Sequence, residues 1–270
     1  MKSILLYANE DPGLEVRVEA ALNLVEADHG HLTCVQVMPF SSYVFGDPFG
    51  GTYVMAEAIT GLEEQQAANR ARVEQTLRRA QVPWTWLDYS GVPASVLVER
   101  SRLADIVVMS LPDGDGARAD RVLPTTADVA VHARTLTLAV PDGGNAFDMS
   151  GRALIAWNGS AEASQALRLA VPLLQRASAV DIVTVIEDEL NFPATDACEY
   201  LGYHGVRPEL HEWQWSGRSV AECIDDAAAV LGSDYVLMGA YGHSRIREAV
   251  LGGVTRSMLN QSRRPLLLGH

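Results

Sequence analysis

The sequence predicts an α/β protein of two repeated domains, each an open five-stranded parallel sheet with helices on both faces. Three observations predict it. Short apolar runs alternate with segments of helical periodicity along the whole chain, the pattern of strands buried between helices. Four segment pairs recur in the same order: "ILLYANEDPG" at 4–13 with "ALIAWNGSAE" at 153–162, "YSGVPASVLVE" at 89–99 with "WSGRSVAECID" at 215–225, "ADIVVMS" at 104–110 with "SDYVLMG" at 233–239, and "TLTLAVP" at 135–141 with "RPLLLGH" at 264–270. Between the copies lies "DGGNAFDMSG" at 142–151, a turn-rich linker. The domains are therefore residues 1–145 and 150–270, each long enough for a core of its own.

The elements follow in order. Ile4–Tyr7 reads as a buried strand, and Leu14, Val18, Ala21, Leu22 and Val25 then fall on one helical face. Leu32–Met38 is a second strand. Residues 55–81 carry a long, charged helix pattern. "PWTWLDY" is a third strand, 93–103 a helix, 105–110 a fourth strand and 135–140 a fifth after another helix. The second half places strands near 153–157, 181–186, 209–215, 234–238 and 265–268. Trp84, Trp86, Trp213 and Trp215 alternate along the third strands, as packing residues do. "SSYVFGDPFGGTYVM" at 41–55 has no counterpart in the second half and reads as a surface crossover loop, a lid or an interaction loop.

The charge balance narrows the function classes. Twenty-one Lys and Arg against 34 Asp and Glu give a formal net charge of −13. A chain so acidic lacks the basic face that nucleic acid needs, yet a local basic pocket still suits a small anion. Cys34, Cys198 and Cys223 form no CxxC pair and no disulfide framework. No apolar run reaches the roughly 18 residues of a membrane helix, and the N-terminus lacks a signal-peptide pattern. These features predict a cytoplasmic protein with no membrane partner.

The chemistry concentrates in "MGAYGHSRIREAVLGGVTRSML" at 238–259. In an open parallel sheet, ligands bind beyond the carboxyl ends of the strands. Gly239 begins where the fourth strand of the second half ends; Gly242 follows after two residues and Gly252 after nine more. Gly252-Gly253 then opens a helix pattern with Val254, Met258 and Leu259 apolar. Glycines let backbone N–H groups approach phosphate oxygens, and a helix start adds free N–H groups and its dipole. Thr255 offers a hydroxyl donor; His243, Arg245 and Arg247 offer charge. The pattern is neither a Walker A loop nor the GxGxxG of dinucleotide folds.

Gly-x2-Gly-x9-Gly after a fourth strand, before a helix and a last apolar strand, resembles the universal stress protein family. The whole chain resembles a tandem member of it, half by half. The resemblance implies a Rossmann-like five-stranded domain in each half and, in the nucleotide-binding branch, ATP (or ADP or AMP, with or without Mg²⁺) held by the loop. Carried over by position, Gly239, Gly242 and Gly252 match the loop glycines, and Val254 and Thr255 the residues opening the helix. Asn158 matches an aspartate that holds the nucleoside, Val185 a position that meets the adenine and Met238 one that lines the pocket. Two positions depart: Gly253 stands where the family has Ser or Thr, and Asn158 carries no charge.

The first half departs further. Aligned without a gap, Ser110, Asp113, Leu123 and Pro124 stand where the second half has Gly239, Gly242, Gly252 and Gly253. That half reads as a degenerate partner supplying an interface. The final strands, 136–140 and 265–268, predict an intramolecular pseudo-dimer of the two halves, with a homodimer of chains also open.

Catalytic motifs are sparse: no HExxH and no GxSxG occurs. His243 sits within the glycine loop as a phosphate contact, an acid, or a plain loop histidine. Cys198 with His204, and the acidic run Glu187–Glu189, are weak metal candidates. The function expected is a stress-response protein, regulated by an adenine nucleotide in its second domain and read by a protein partner. The alternative is a stress protein that binds no nucleotide and works through protein contacts. A weak ATPase is the third reading and lacks an identified base and metal site.

Overall fold

The computed structural model describes residues 1–39, 45–46, 52–53, 56–111, 125–142, 147–186, 192–214, 217–241 and 253–270. The first half runs β1 (Ser3–Tyr7), α1 (Leu14–Asp28), β2 (His31–Pro39), the two-residue strands β3 (Phe45–Gly46) and β4 (Thr52–Tyr53), α2 (Ala56–Ala80), β5 (Trp84–Gly91), α3 (Pro93–Arg100), a 3₁₀ turn at Ser101–Leu103, β6 (Ile106–Ser110), α4 (Thr125–His132) and β7 (Leu136–Val140). The second runs β8 (Ala153–Ala156), α5 (Ala161–Leu174), β9 (Val180–Ile186), α6 (Ala194–Tyr203), β10 (Glu209–Gln214), α7 (Val220–Leu231), β11 (Tyr235–Gly239), α8 (Gly253–Gln261) and β12 (Leu266–Gly269).

All strands but β3 and β4 form one ten-stranded sheet, in the order β10-β9-β8-β11-β12-β7-β6-β1-β2-β5. Within each half every pair of this sheet is parallel, for example Leu6 on Cys34 and Val236 on Leu266. The halves meet where β12 pairs antiparallel with β7, Leu267 opposite Leu138. This antiparallel seam turns the two parallel sets in opposite directions. Their carboxyl ends therefore open on opposite margins of the sheet, one crevice per half. In the 41–55 segment the described residues form a small antiparallel pair, Phe45 on Tyr53 and Gly46 on Thr52.

Strand alternation divides the core between two faces. Ile4 and Leu6 join α1, α2, α5 and α6 in a cluster that runs unbroken across the seam, with Leu138 and Leu267 inside it. Leu5 faces the opposite side with α3 and α4, and Leu154 with α4, α7 and α8. Local chemistry fixes the helix ends. Ser219 and Glu222 form a reciprocal capping box at the start of α7, and Gly232 ends it with φ 66°. Ser160 caps α5 by accepting from the Ala163 N–H at 3.1 Å, and Pro93 opens α3. Trp86 is buried and its Nε1–H donates to Asp88 at 2.8 Å, while Trp84 and Trp213 pack at core margins; Trp215 lies outside the described residues.

Candidate functional site

The second half reverses its strand order between β8 and β11, the place where open α/β sheets leave a crevice. The last rung of β8 on β9 is the Trp157 N–H donating to Val183 O at 2.9 Å. The chain then turns at Asn158, whose Oδ1 accepts from the Ser160 N–H at 3.2 Å. Asn158 is exposed. Peptide groups alternate sides along a strand, so the N–H and C=O of Val185 face the same side as those of Val183, past the end of β8. Among the described residues no side chain bonds to that donor–acceptor pair.

The other wall is the end of β11. Met238 is buried and Gly239 partly so. A Cβ on Gly239 would lie 2.5 Å from Ala163 N and 2.8 Å from the Glu162 carbonyl carbon, so only glycine lets β11 approach the start of α5 this closely. Ala240 N–H donates to Gly269 O at 2.7 Å and carries the chain past the sheet. Tyr241 then takes a left-handed conformation, φ 55°, with its ring buried. Its N–H donates to the Thr255 hydroxyl at 3.2 Å. Thr255, expected as a phosphate donor, is thus 4% exposed and serves as acceptor at the foot of the loop. Gly253 is exposed at the first position of α8, and a Cβ there would meet open space; the missing hydroxyl is not a steric requirement. Val254 is partly buried against the α7–α8 core. Gly242, His243 and Gly252 lie outside the described residues, as does the acidic run 187–189.

The structure brings Asn158, Val185, Met238, Gly239, Val254 and Thr255 to one margin of the second half. It does not join Cys198 to His204 as ligands: the His204 ring packs on Tyr200, centroids 4.7 Å apart. Among the described residues the one clustered set of metal-type side chains is Asp181, Glu209 and His211, which the sequence reading missed. It lies at the opposite, amino-terminal end of β9 and β10. Asp181 is fully buried; Arg152 donates to both its oxygens, Nε at 2.6 Å and Nη2 at 2.9 Å, and His211 Nε2 lies 2.8 Å from Oδ1. Burial opposes ionisation of Asp181, but the hydrogen bonds from Arg152 and His211 hold its carboxyl below the usual carboxylate range. With both oxygens occupied by a guanidinium, the cluster is an ion-pair clamp between an outer strand and its neighbour. Glu209 and His211 stand two apart on β10, so period-2 spacing was the available signal; their partner across the ladder was not.

No family model and no curated protein sequence matches the chain. Its fold does match solved structures. A universal stress protein from Archaeoglobus fulgidus DSM 4304 superposes with TM-score 0.77 at 15% identity, over 99% of this chain and 96% of that one. A functionally unknown protein from Pseudomonas aeruginosa PAO1 gives 0.63 at 12% identity, covering 99% and 92%. A provisionally assigned universal stress protein from Pseudomonas aeruginosa UCBPP-PA14 gives 0.62 at 13%, again covering 99% and 92%. Over its whole length, with the antiparallel seam at its middle, the chain has the universal stress protein fold.

Proposed function

We propose that the chain is a tandem universal stress protein whose second half binds one adenine nucleotide, and that its occupied state is read by a protein partner. The observation that carries this reading is the N–H and C=O pair of Val185 beyond the end of β8, to which no described side chain bonds. A base edge with adjacent acceptor and donor atoms complements that pair. Gly239 brings the strand leading to the glycine loop against the N-terminus of α5, whose dipole favours an anion. The loop glycines 242 and 252 then supply phosphate contacts, and Mg²⁺ accompanies the phosphates in the triphosphate form. The two halves act as an intramolecular pseudo-dimer through β7 and β12.

Calorimetric titration of the full chain with ATP, ADP and AMP, with and without Mg²⁺, tests the reading. One site per chain is expected. Absence of binding by all three favours the second reading, a nucleotide-free stress protein acting through protein contacts; Asn158, whose oxygen is engaged in its own turn, and Gly253 favour that reading. Two equivalent sites per chain overturn the asymmetry between the halves.

A further inference from the structure

In the first half, side chains of the half itself bind the strand ends at the matching crevice. The last rung of β1 on β2 is the Ala8 N–H donating to Val35 O at 2.8 Å, the counterpart of Trp157 on Val183. Asn9 is therefore the counterpart of Asn158, Val37 of Val185 and Arg17 of Ala166. The two asparagines behave oppositely. Asn9 turns its carboxamide onto Val37: Nδ2 donates to Val37 O at 2.7 Å, and Oδ1 accepts from the Val37 N–H at 2.7 Å. The backbone pair that no described side chain takes at Val185 is here taken by a side chain with an acceptor beside a donor on one planar edge, the pattern an adenine edge also presents. Asn69, 3% exposed, buttresses the spot by donating to Ala8 O and to Gln36 Oε1, both at 2.8 Å.

Arg17 adds a second internal contact. It is fully buried, and its guanidinium ties the end of β1 to the end of β6: Nε donates to Tyr7 O at 3.0 Å, Nη2 to Asn9 O at 2.7 Å, and Nη1 to Asp11 Oδ1 and Ser110 Oγ, both at 2.6 Å. An internal carboxylate–guanidinium pair thus lies between the strand ends. Among the described residues the second half has no such group: Ala166 lies at the matching place against Gly269, where even a Cβ on the glycine would come within 2.6 Å of Ala166 Cα.

We propose that Asn9 and Arg17 are internal surrogate ligands that determine which half accepts a nucleotide: Asn9 occupies the base edge of the first crevice, Arg17 the space between its strand ends. The proposal rests on the nucleotide reading of the second half only in naming that edge a base site. Residue-resolved amide hydrogen exchange on the full chain tests it, with AMP as the probe. In the ligand-free chain the Val37 amide is expected to exchange at least tenfold more slowly than the Val185 amide, and AMP is expected to slow Val185 alone. Asn9→Ala is expected to speed Val37 exchange at least tenfold and to make that amide respond to AMP. A Val37 amide as fast as Val185, or slowed by AMP in the parent chain, or unchanged in Asn9→Ala, overturns the proposal. A Val185 amide indifferent to AMP while Val37 behaves as expected in the ligand-free chains counts against the nucleotide reading and leaves the Asn9 closure standing.

Discussion

Gly239 and Ala163 touch backbone to backbone: a Cβ on the glycine would stand 2.5 Å from the Ala163 nitrogen. The first half solves the same contact with the glycine on the other side, Gly13 at the helix start making room for the Ser110 side chain of β6. The atoms facing Gly239 are helix backbone, held by the Ser160 cap, and have no rotamer to relax into. Gly239→Ala is therefore expected to cost about 1–3 kcal/mol, the usual range for overpacking, read as a lower urea midpoint at unchanged slope. Gly239→Ala at full stability would mean that α5 shifts freely against β11.

Arg17 makes the opposite kind of contact, four hydrogen bonds from a fully buried cation. Arg17→Met keeps volume and removes every donor, leaving Tyr7 O, Asn9 O and Ser110 Oγ without this partner, while the part-exposed Asp11 carboxylate keeps the Gly13 N–H. A loss of about 1–3 kcal/mol is expected, the range for leaving buried acceptors without their partner. Arg17→Lys is expected to recover less than half, because an ammonium cannot reproduce the planar fork that spans Tyr7, Asn9 and Ser110. Chemical denaturation of the three chains settles both points.

How far the sequence carried the reading depended on the range of the interactions involved. Buried parallel strands are nearly continuous apolar runs, so Ile106–Ser110 and Tyr235–Gly239 were readable within one or two residues. The direction of pairing at the seam was not: Leu136–Val140 and Leu266–Gly269 are apolar but for Thr137, and nothing in them states whether they pair parallel or antiparallel. Asn9 and Asn158 share a letter and a place but not a partner. Asp11 takes the Gly13 N–H at the first helix start and leaves Asn9 to reach Val37, whereas Asn158 takes the Ser160 N–H itself. Arg17 carried no signal in the sequence, because its acceptors, Ser110 among them, are brought in by the fold.

Asp181 gives the chain a defined acid limb. Its carboxyl titrates below the unfolded value of about 3.9. A depressed folded pKa contributes stability that is present above the unfolded pKa and lost as pH falls through the folded one. Asp181→Asn is expected to destabilise by about 1–3 kcal/mol near pH 6, the range for hydrogen bonds to a charged group, and by less at pH 3, below the unfolded value of about 3.9, where the unfolded chain already binds the proton and the parent's advantage shrinks. Urea unfolding at the two pH values measures the difference. A gap that widens toward pH 3 would contradict the assignment of the clamp to the ionised form.

Gly242→Asp copies Asp113 of the first half into the second. Under the nucleotide reading, a carboxylate beside the phosphates adds repulsion and a Cβ where backbone must approach. ATP affinity is expected to fall at least tenfold, about 1.4 kcal/mol, with the unfolding midpoint little changed. Unaltered affinity in the folded variant would place the phosphates away from the glycine loop.

The seam between β7 and β12 sets the last expectation. Leu266, Leu267 and Leu268 face Ala139, Leu138 and Thr137 across it, all buried, and the core beneath is continuous from one half to the other. Separating the halves would leave each with an apolar strand at an open sheet margin, the arrangement that invites pairing with another chain. Near the seam's core, Asn23 of α1 donates to Phe147 O at 2.9 Å, and Arg176 forms an ion pair with Asp28, so polar contacts fix the relative placement as well. Residues 1–145 and 150–270, expressed separately, are each expected to self-associate or aggregate, and to combine one to one when mixed. The covalent linker keeps the partner's effective concentration high in the intact chain, so the mixed halves are expected to melt lower and with concentration dependence. Two halves that each remain stable monomers and ignore one another in analytical ultracentrifugation would show that the β7–β12 seam contributes little to holding the chain together.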